Sequence, residues 1–265
     1  MYSSFQLARK YAAYILGALN GKGHGVHSPF VFDFITHVLN DRTRYPFFDT
    51  IEGLRARLRQ DTQVIEVEDL GAGSATSSSR HRRVREIAHS SLKNKKFAQL
   101  LYRIVRYYEP RTIVELGTSL GTTSCYLAAA NPAAVVHTLE GSGTIADMAR
   151  VNFQKIGLDN LQLTVGNFDE TLPRVLAGLQ TVDLAFIDGN HRRDPTLAYF
   201  SALEARSGPS SILIFDDIHW SEEMEEAWKK VQGHESVTLT IDLFFIGIVF
   251  FRSDFKVKQH FTIRF

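Results

Sequence analysis

The residues best placed by type and spacing to do chemistry follow five short apolar runs in the second half of the 265-residue chain. The first run ends in Glu115-Leu116-Gly117-Thr118-Ser119-Leu120-Gly121, a carboxylate two positions before a G-x-x-x-G turn. Glycine at 117 permits torsions and close ligand approach that a β-carbon would obstruct, and Gly121 is expected to let the next helix start pack against the strand. Dinucleotide sites instead use G-x-G-x-x-G to seat a pyrophosphate on a helix N-terminus. Negative charge at Glu115 opposes a phosphate and favours a cation. S-adenosylmethionine (SAM) carries a sulfonium and an ammonium and no phosphate, so it suits the turn better than NAD. Glu115, Gly117, Thr118, Ser119 and Gly121 are its expected contacts.

The second run ends at Glu140, 25 residues after Glu115, where a carboxylate can accept both hydroxyls of a ribose. The third ends in Gly166-Asn167-Phe168-Asp169, with Asp169 the expected N-cap of the following helix. The fourth ends in Asp188-Gly189-Asn190-His191 and the fifth in Asp216-Asp217-Ile218-His219-Trp220. Adjacent strands lie roughly 4.8 Å apart, so the carboxylates of neighbouring ends would converge and need a cation. Hard oxygen ligands suit Mg²⁺. Other duties are open to these acids: Asp188 could serve SAM alone, and Asp216 or Asp217 could cap the next helix, although Ser221 followed by Glu222 and Glu223 is already a good cap. His191 is the first candidate for a general base and His219 the second, since an imidazole titrating near neutrality can take a hydroxyl proton.

The string E-L-G-T-S-L-G-T-T-S resembles motif I of class I SAM-dependent methyltransferases, the small-molecule O-methyltransferases above all, and the resemblance covers roughly residues 97 to 252. It implies that Glu140 is the ribose acid. Asn167 stands where the family often has an aspartate that accepts a bond from the adenine amino group; its amide oxygen can accept the same bond, and Phe168 can stack on the adenine or pack in the core. The fourth and fifth strand ends resemble the Mg²⁺-dependent branch, catechol and especially macrocin-type enzymes, which implies Asp188, Asp216 and Asp217 as metal ligands. A histidine three residues after the first metal acid occurs in the macrocin-type branch, the spacing of Asp188 to His191. The expected activity is SAM-dependent O-methylation of a small hydroxylated molecule with help from Mg²⁺. Three alternatives stay open. An N-methyltransferase lacks support because no Asn-Pro-Pro-Tyr motif follows the fourth strand. A cephalosporin-hydroxylase-like metalloenzyme lacks the two-histidine-one-carboxylate pattern of non-haem iron. A SAM-sensing or partner-binding protein without catalysis is the third.

The elements that must position these residues read as an α/β chain. Strands at 112–116, 135–139, 161–165, 182–187 and 211–215 alternate with helices near 121–130, 144–156, 169–178, 193–206 and 221–232. Such alternation predicts a doubly wound, Rossmann-like, mostly parallel sheet covered on both faces. Two β-rich runs, 237–243 and 246–251, predict a closing antiparallel hairpin. A helix over 97–108 precedes the first strand and ends at Pro110. Residues 97–265 are thus the expected SAM-binding domain and residues 1–96 a helical N-terminal cap, with helices over 5–19, 29–39 and 48–58 and Ser28-Pro29 as a helix start. Val67 to Ser74 imitates motif I, but 75–95 is Ser- and Arg-rich and offers no strand, which marks it as a decoy whose loop could act as a lid.

Thirty basic and 29 acidic residues give a net charge of +1, which makes no electrostatic case for nucleic acid. The basic cluster of Arg80, Arg82, Arg83, Arg85, Lys93, Lys95, Lys96, Arg103 and Arg106 reads first as a solvated face and second as a patch for an acidic substrate. Cys125 is the single cysteine, which excludes an intrachain disulfide and fits a buried thiol in reduced cytoplasm. Tyr11 to Leu19, after Arg9-Lys10, is too short to span a bilayer and has no convincing cleavage site. A cytoplasmic protein, without membrane partners and capable of forming a homodimer, is expected.

Overall fold

The computed structural model describes residues 1–67 and 81–265, so the motif-like Asp69 to Ser74 loop and Arg80 lie outside the described residues. The chain forms two compact units, residues 1–41 with 179–265 and residues 42–178.

Helix α1 (Ser4–Gly17) starts one residue before the sequence expectation because Ser3 and Gln6 form a reciprocal capping box. The expected helix over 29–39 divides into α2 (Pro29–Phe34) and a π-helical turn over Ile35–Leu39. Pro29 occupies the first turn as expected, but the Ser28 side chain makes no cap bond.

In the unit of residues 42–178, α3 (Pro46–Leu58) leads into a two-stranded hairpin, β1 (Val64–Glu66) and β2 (His81–Arg83), and then α4 (Val84–Ser91). The sequence reading found no strand in 75–95; β2 corrects it, for its basic residues carry no apolar signature and form a strand only by pairing with β1. Helix α5 (Lys95–Tyr108) buries Phe97, Leu100, Leu101, Ile104 and Val105 and ends on Glu109 in the left-handed region just before Pro110. Three parallel strands follow in the order β3 (Thr112–Leu116), β4 (Val135–Glu140), β5 (Leu161–Val165). They alternate with α6 (Thr122–Ala130), α7 (Gly143–Ile156) and α8 (Phe168–Ala177). Leu54, Leu58, Ile65, Val84, Ile87 and Ala88 pack against Leu120 of the glycine turn and Ile145 of α7 in one apolar cluster. Buried Arg55 adds polar anchoring by bonding the Lys93 carbonyl at 2.7 Å and pairing with Glu52, which accepts the Tyr126 hydroxyl of α6 at 2.6 Å.

The other unit continues with β6 (Leu184–Ile187), α9 (Arg193–Glu204), β7 (Ile212–Asp216) and α10 (Glu222–Gly233). Its last strands are β8 (Leu239–Asp242), β9 (Ile246–Phe250) and β10 (Gln259–Thr262). β6 and β7 are parallel, and the expected hairpin is present, with β9 antiparallel to both β7 and β8. β10, which the sequence reading missed, runs parallel beside β8 at the edge. The N-terminal segment is tied there as well: Leu19 exchanges backbone bonds with Thr262 and Arg264, and the Tyr14 hydroxyl donates to the Ile263 carbonyl.

Candidate functional site

The carboxyl ends of β3, β4 and β5 carry the candidates of the 42–178 unit. Gly117 (φ 103°) and Gly121 (φ 78°) both take torsions that favour glycine. A β-carbon on Gly121 would stand 2.5 Å from the Phe153 ring and 3.2 Å from the Ala149 methyl, so its close neighbour is α7 and not the strand, as expected from sequence. The turn is held by two amides, Gly117 and Thr118 N–H, donating to the Leu139 carbonyl at 3.0 and 3.1 Å. Ser119, between the two glycines, adopts the left-handed region (φ 47°), an uncommon conformation for a residue with a side chain. It is fixed on both sides. Its N–H donates to Glu140 Oε2 at 2.8 Å, and its hydroxyl shares a 2.8 Å hydrogen bond with Ser91 of α4.

Glu140 closes the arrangement, its other oxygen accepting the Ser142 N–H at 3.0 Å. Asn152 of α7 donates to the Leu120 carbonyl at 3.0 Å, so α7 supports the same turn. Glu115 is fully buried at the end of β3 and accepts hydroxyl bonds from Ser124 and, at 2.6 Å, from Thr138. Burial pushes its carboxyl up to about 7, the two hydroxyls pull it down and nearby Glu140 raises it. Glu115 Oε1 and Ser142 Oγ are buried with no hydrogen-bond partner among the described residues. At the end of β5, Asn167 is the N-cap of α8, accepting the Asp169 N–H at 3.0 Å; Asp169 sits in the first turn, which corrects the expected cap by two positions. Phe168 is half-buried beside it.

The ends of β6 and β7 carry the other candidates. Two residues again hold positive φ, Asn190 and Asp217, each at 53°. His191 Nε2 lies 3.6 Å from Asp188 Oδ1, both side chains retaining some exposure. Asn190 bonds the Tyr199 hydroxyl at 3.4 Å. Asp216 is still a strand residue, paired with Ile246 and 2% exposed, while the Asp217 N–H donates to the Phe245 carbonyl at 2.7 Å. Among the described residues no group of three or more histidine, cysteine, aspartate or glutamate side chains is arranged to hold a metal ion. Mg²⁺ at Asp188, Asp216 and Asp217 is thus not shown. The ladder of β7 runs one residue further than the sequence indicated and ends on Asp216.

His219 has both ring nitrogens committed, Nδ1 to Glu225 at 3.0 Å and Nε2 to Asp242 at 2.8 Å, and its ring stacks on Phe244. Burial lowers its pKa, but the two carboxylates outweigh burial and raise it above the ordinary histidine value. A charged ring donating from both nitrogens has no lone pair with which to take a proton. Glu225 also binds Lys10 at 2.9 Å and the Tyr2 hydroxyl at 3.0 Å, so this network tethers α1 to α10. Cys125 is buried, and burial pushes its thiol above the usual range. Within the basic cluster, Arg83 and Arg106 pair with Glu86 and Glu109, the weak i,i+3 pairs of a solvated face.

Sequence reasoning missed Ser91, Ser124, Thr138, Asn152 and Asn190. The positive φ of Ser119, Asn190 and Asp217 would have marked the strand ends, but φ is not visible in the sequence.

Residues 114–218 match the family described as a methyltransferase domain. No curated protein sequence matches the chain significantly. Among solved structures, the O-methyltransferase TomG of Streptomyces achromogenes, involved in tomaymycin synthesis and solved with SAM, is 18% identical with a TM-score of 0.53, covering 62% of this chain and 83% of its own. An O-methyltransferase from Bacillus cereus in complex with SAH is 19% identical with a TM-score of 0.53, covering 83% of this chain and 97% of its own. The SAH-bound Podospora anserina methyltransferase PaMTH1 is 14% identical with a TM-score of 0.55, covering 81% of this chain and all of its own length. At these identities the likeness is one of fold, the Rossmann-like α/β fold of class I methyltransferases. No helix among the described residues is long and apolar enough to cross a membrane.

Proposed function

We propose that this chain is a SAM-dependent methyltransferase and that it acts on a hydroxyl oxygen of a small molecule. The observation that carries the reading is the glycine turn itself: Ser119 is held in the left-handed region by the Glu140 carboxylate on its N–H, inside the segment that matches the methyltransferase domain. The two carboxylates around the turn, Glu115 and Glu140, suit a cofactor that carries cations and no phosphate at that point.

When bound, SAM supplies a methyl group on a sulfonium, open to in-line attack. The residues of the chain then have separate tasks. Glu140 accepts from the ribose hydroxyls, the buried Ser142 hydroxyl beside it offers a further polar partner, and Asn167 and Phe168 receive the adenine. His191 takes the proton of the attacking hydroxyl. With Asp188 facing Nε2, the tautomer protonated at Nε2 is favoured and Nδ1 is left as the accepting atom. No step is routed through a metal. His219 is assigned to the tether between α1 and α10 and not to proton transfer.

Calorimetric titration with SAM and with NAD, followed by transfer of labelled methyl to a panel of hydroxyl compounds, tests the reading. SAM alone should bind. Binding of NAD alone would remove the cofactor assignment, and SAM binding without a labelled product over the panel would point to a sensor in place of an enzyme.

A further inference from the structure

We infer that Glu115 is a positioning residue, which holds the glycine turn through a one-way chain of buried hydroxyls and does not itself touch the cofactor. Its side chain is fully buried, and its Oε2 accepts from two elements at once, Thr138 Oγ1 of β4 at 2.6 Å and Ser124 Oγ of α6. Thr138 Oγ1 also lies 2.5 Å from Thr118 Oγ1 in the turn. A hydroxyl has one proton to give. Since Thr138 gives its proton to Glu115, the proton between the two threonines must come from Thr118. The chain therefore runs from Thr118 to Thr138 to Glu115, with Ser124 entering the same oxygen from the other side.

All four groups are at most 2% exposed, so no water competes for these bonds. Their placement is what gives them leverage. Thr118 and Ser124 flank Gly121, and between Thr118 and Gly121 lies Ser119 in its left-handed conformation. A strand-end carboxylate that grips the turn before Gly121 and the first turn of α6 after it fixes the amides that the cofactor would meet. Because burial holds the Glu115 carboxyl near neutrality, the grip should strengthen as pH rises and the carboxylate forms.

The inference rests on SAM as the ligand of the turn. The test compares SAM dissociation constants by calorimetry, KM for SAM against kcat, and melting curves for wild type, Glu115→Gln, Thr138→Val, Thr138→Ser and the Glu115→Gln/Thr138→Val double variant. Thr138→Val keeps the carboxylate but cuts the chain; it should weaken SAM binding by about tenfold, the scale of one hydrogen bond to a charged group, with kcat at saturating SAM within about twofold. Thr138→Ser restores the hydroxyl and should restore affinity. The double variant should bind no more weakly than the weaker single one. Ser124→Ala cuts the limb that enters Glu115 from α6 and serves in place of Thr138→Val if that variant does not fold. Wild-type SAM affinity should rise between pH 6 and 8 around the Glu115 value of about 7, and Glu115→Gln should abolish that rise. Wild-type affinity in Thr138→Val, additive losses in the double variant, or lowered melting with unchanged SAM binding would each overturn the positioning role. Wild-type protein that binds no SAM at all would remove the cofactor reading itself, a distinguishable result.

Discussion

Replacing Gly121 by alanine perturbs the turn through two separable effects. The residue sits at φ 78° and ψ 10°, and a side chain in the left-handed region costs about 1–2 kcal/mol. The added β-carbon would also stand 2.5 Å from one Phe153 ring atom, 3.0 Å from the next and 3.2 Å from the Ala149 methyl. Phe153 is 6% exposed and has little room to yield, so overpacking adds about 1–3 kcal/mol. Reduced freedom of the unfolded chain returns roughly 0.4–1 kcal/mol. The net expectation for Gly121→Ala is a loss of about 1–4.6 kcal/mol in urea unfolding at unchanged m-value, with weaker SAM binding. Phe153→Leu separates the two effects. In that background the ring is gone and Gly121→Ala should cost only the backbone part, about 1 kcal/mol, so the cycle should show a coupling above roughly 0.5 kcal/mol. A Gly121→Ala protein within about 0.5 kcal/mol of wild type would refute the torsional argument. Equal costs in the two backgrounds would refute the steric one.

Three further outcomes follow from the site. His191→Ala should lower kcat by about 10²–10⁴ with SAM affinity unchanged, and a loss below about threefold would move the general base elsewhere. Glu140→Ala removes the acceptor of the Ser119 and Ser142 amides and should raise the SAM dissociation constant at least about tenfold; unchanged affinity in a folded variant would take the ribose role from Glu140. The folded pKa of His219 is raised, so its contribution is fully present below the unfolded histidine value of about 6.5 and is lost as pH rises through the raised folded value. Wild-type melting temperature should fall across that window more than that of His219→Asn, and parallel curves for the two proteins would show that the Glu225 and Asp242 contacts contribute nothing.

The strand ends were legible because a β-branched run followed by a glycine or an acid is a local signal. Thr112 to Gly121 is a strand and a turn whatever surrounds it, and the β8–β9 pair likewise announces itself by two apolar runs across a short connection. What was not legible depends on pairing. β10 (Gln259–Thr262) and β2 (His81–Arg83) are polar tetra- and tripeptides that become strands only beside β8 and β1. Asn167 and Asp169 are both good cap residues, and the choice between them falls to backbone geometry, Gly166 turning at φ 136° just before Asn167. The exact end of β7 was also not legible: the strand runs one residue further than the apolar run and closes on Asp216.

Buried hydroxyls are the hardest case, and they alter how the motif itself is to be read. A serine in α6, a threonine in β4 and a threonine in a turn each look, by sequence, like solvated or capping residues, and nothing in their spacing joins them. In the folded chain they converge on the motif's own acid, so Glu115 Oε2 is held in a network of side chains. The carboxylate that suggested a cationic cofactor is thereby one step removed from it. Its negative charge still disfavours a phosphate at the turn, since burial weakens screening. On the proposed positioning role, the contacts themselves pass to the backbone of Thr118 and Ser119 and to Glu140. Cofactor choice by charge and cofactor contact by geometry are thus divided between two glutamates, Glu115 and Glu140, that the sequence had placed in a single site.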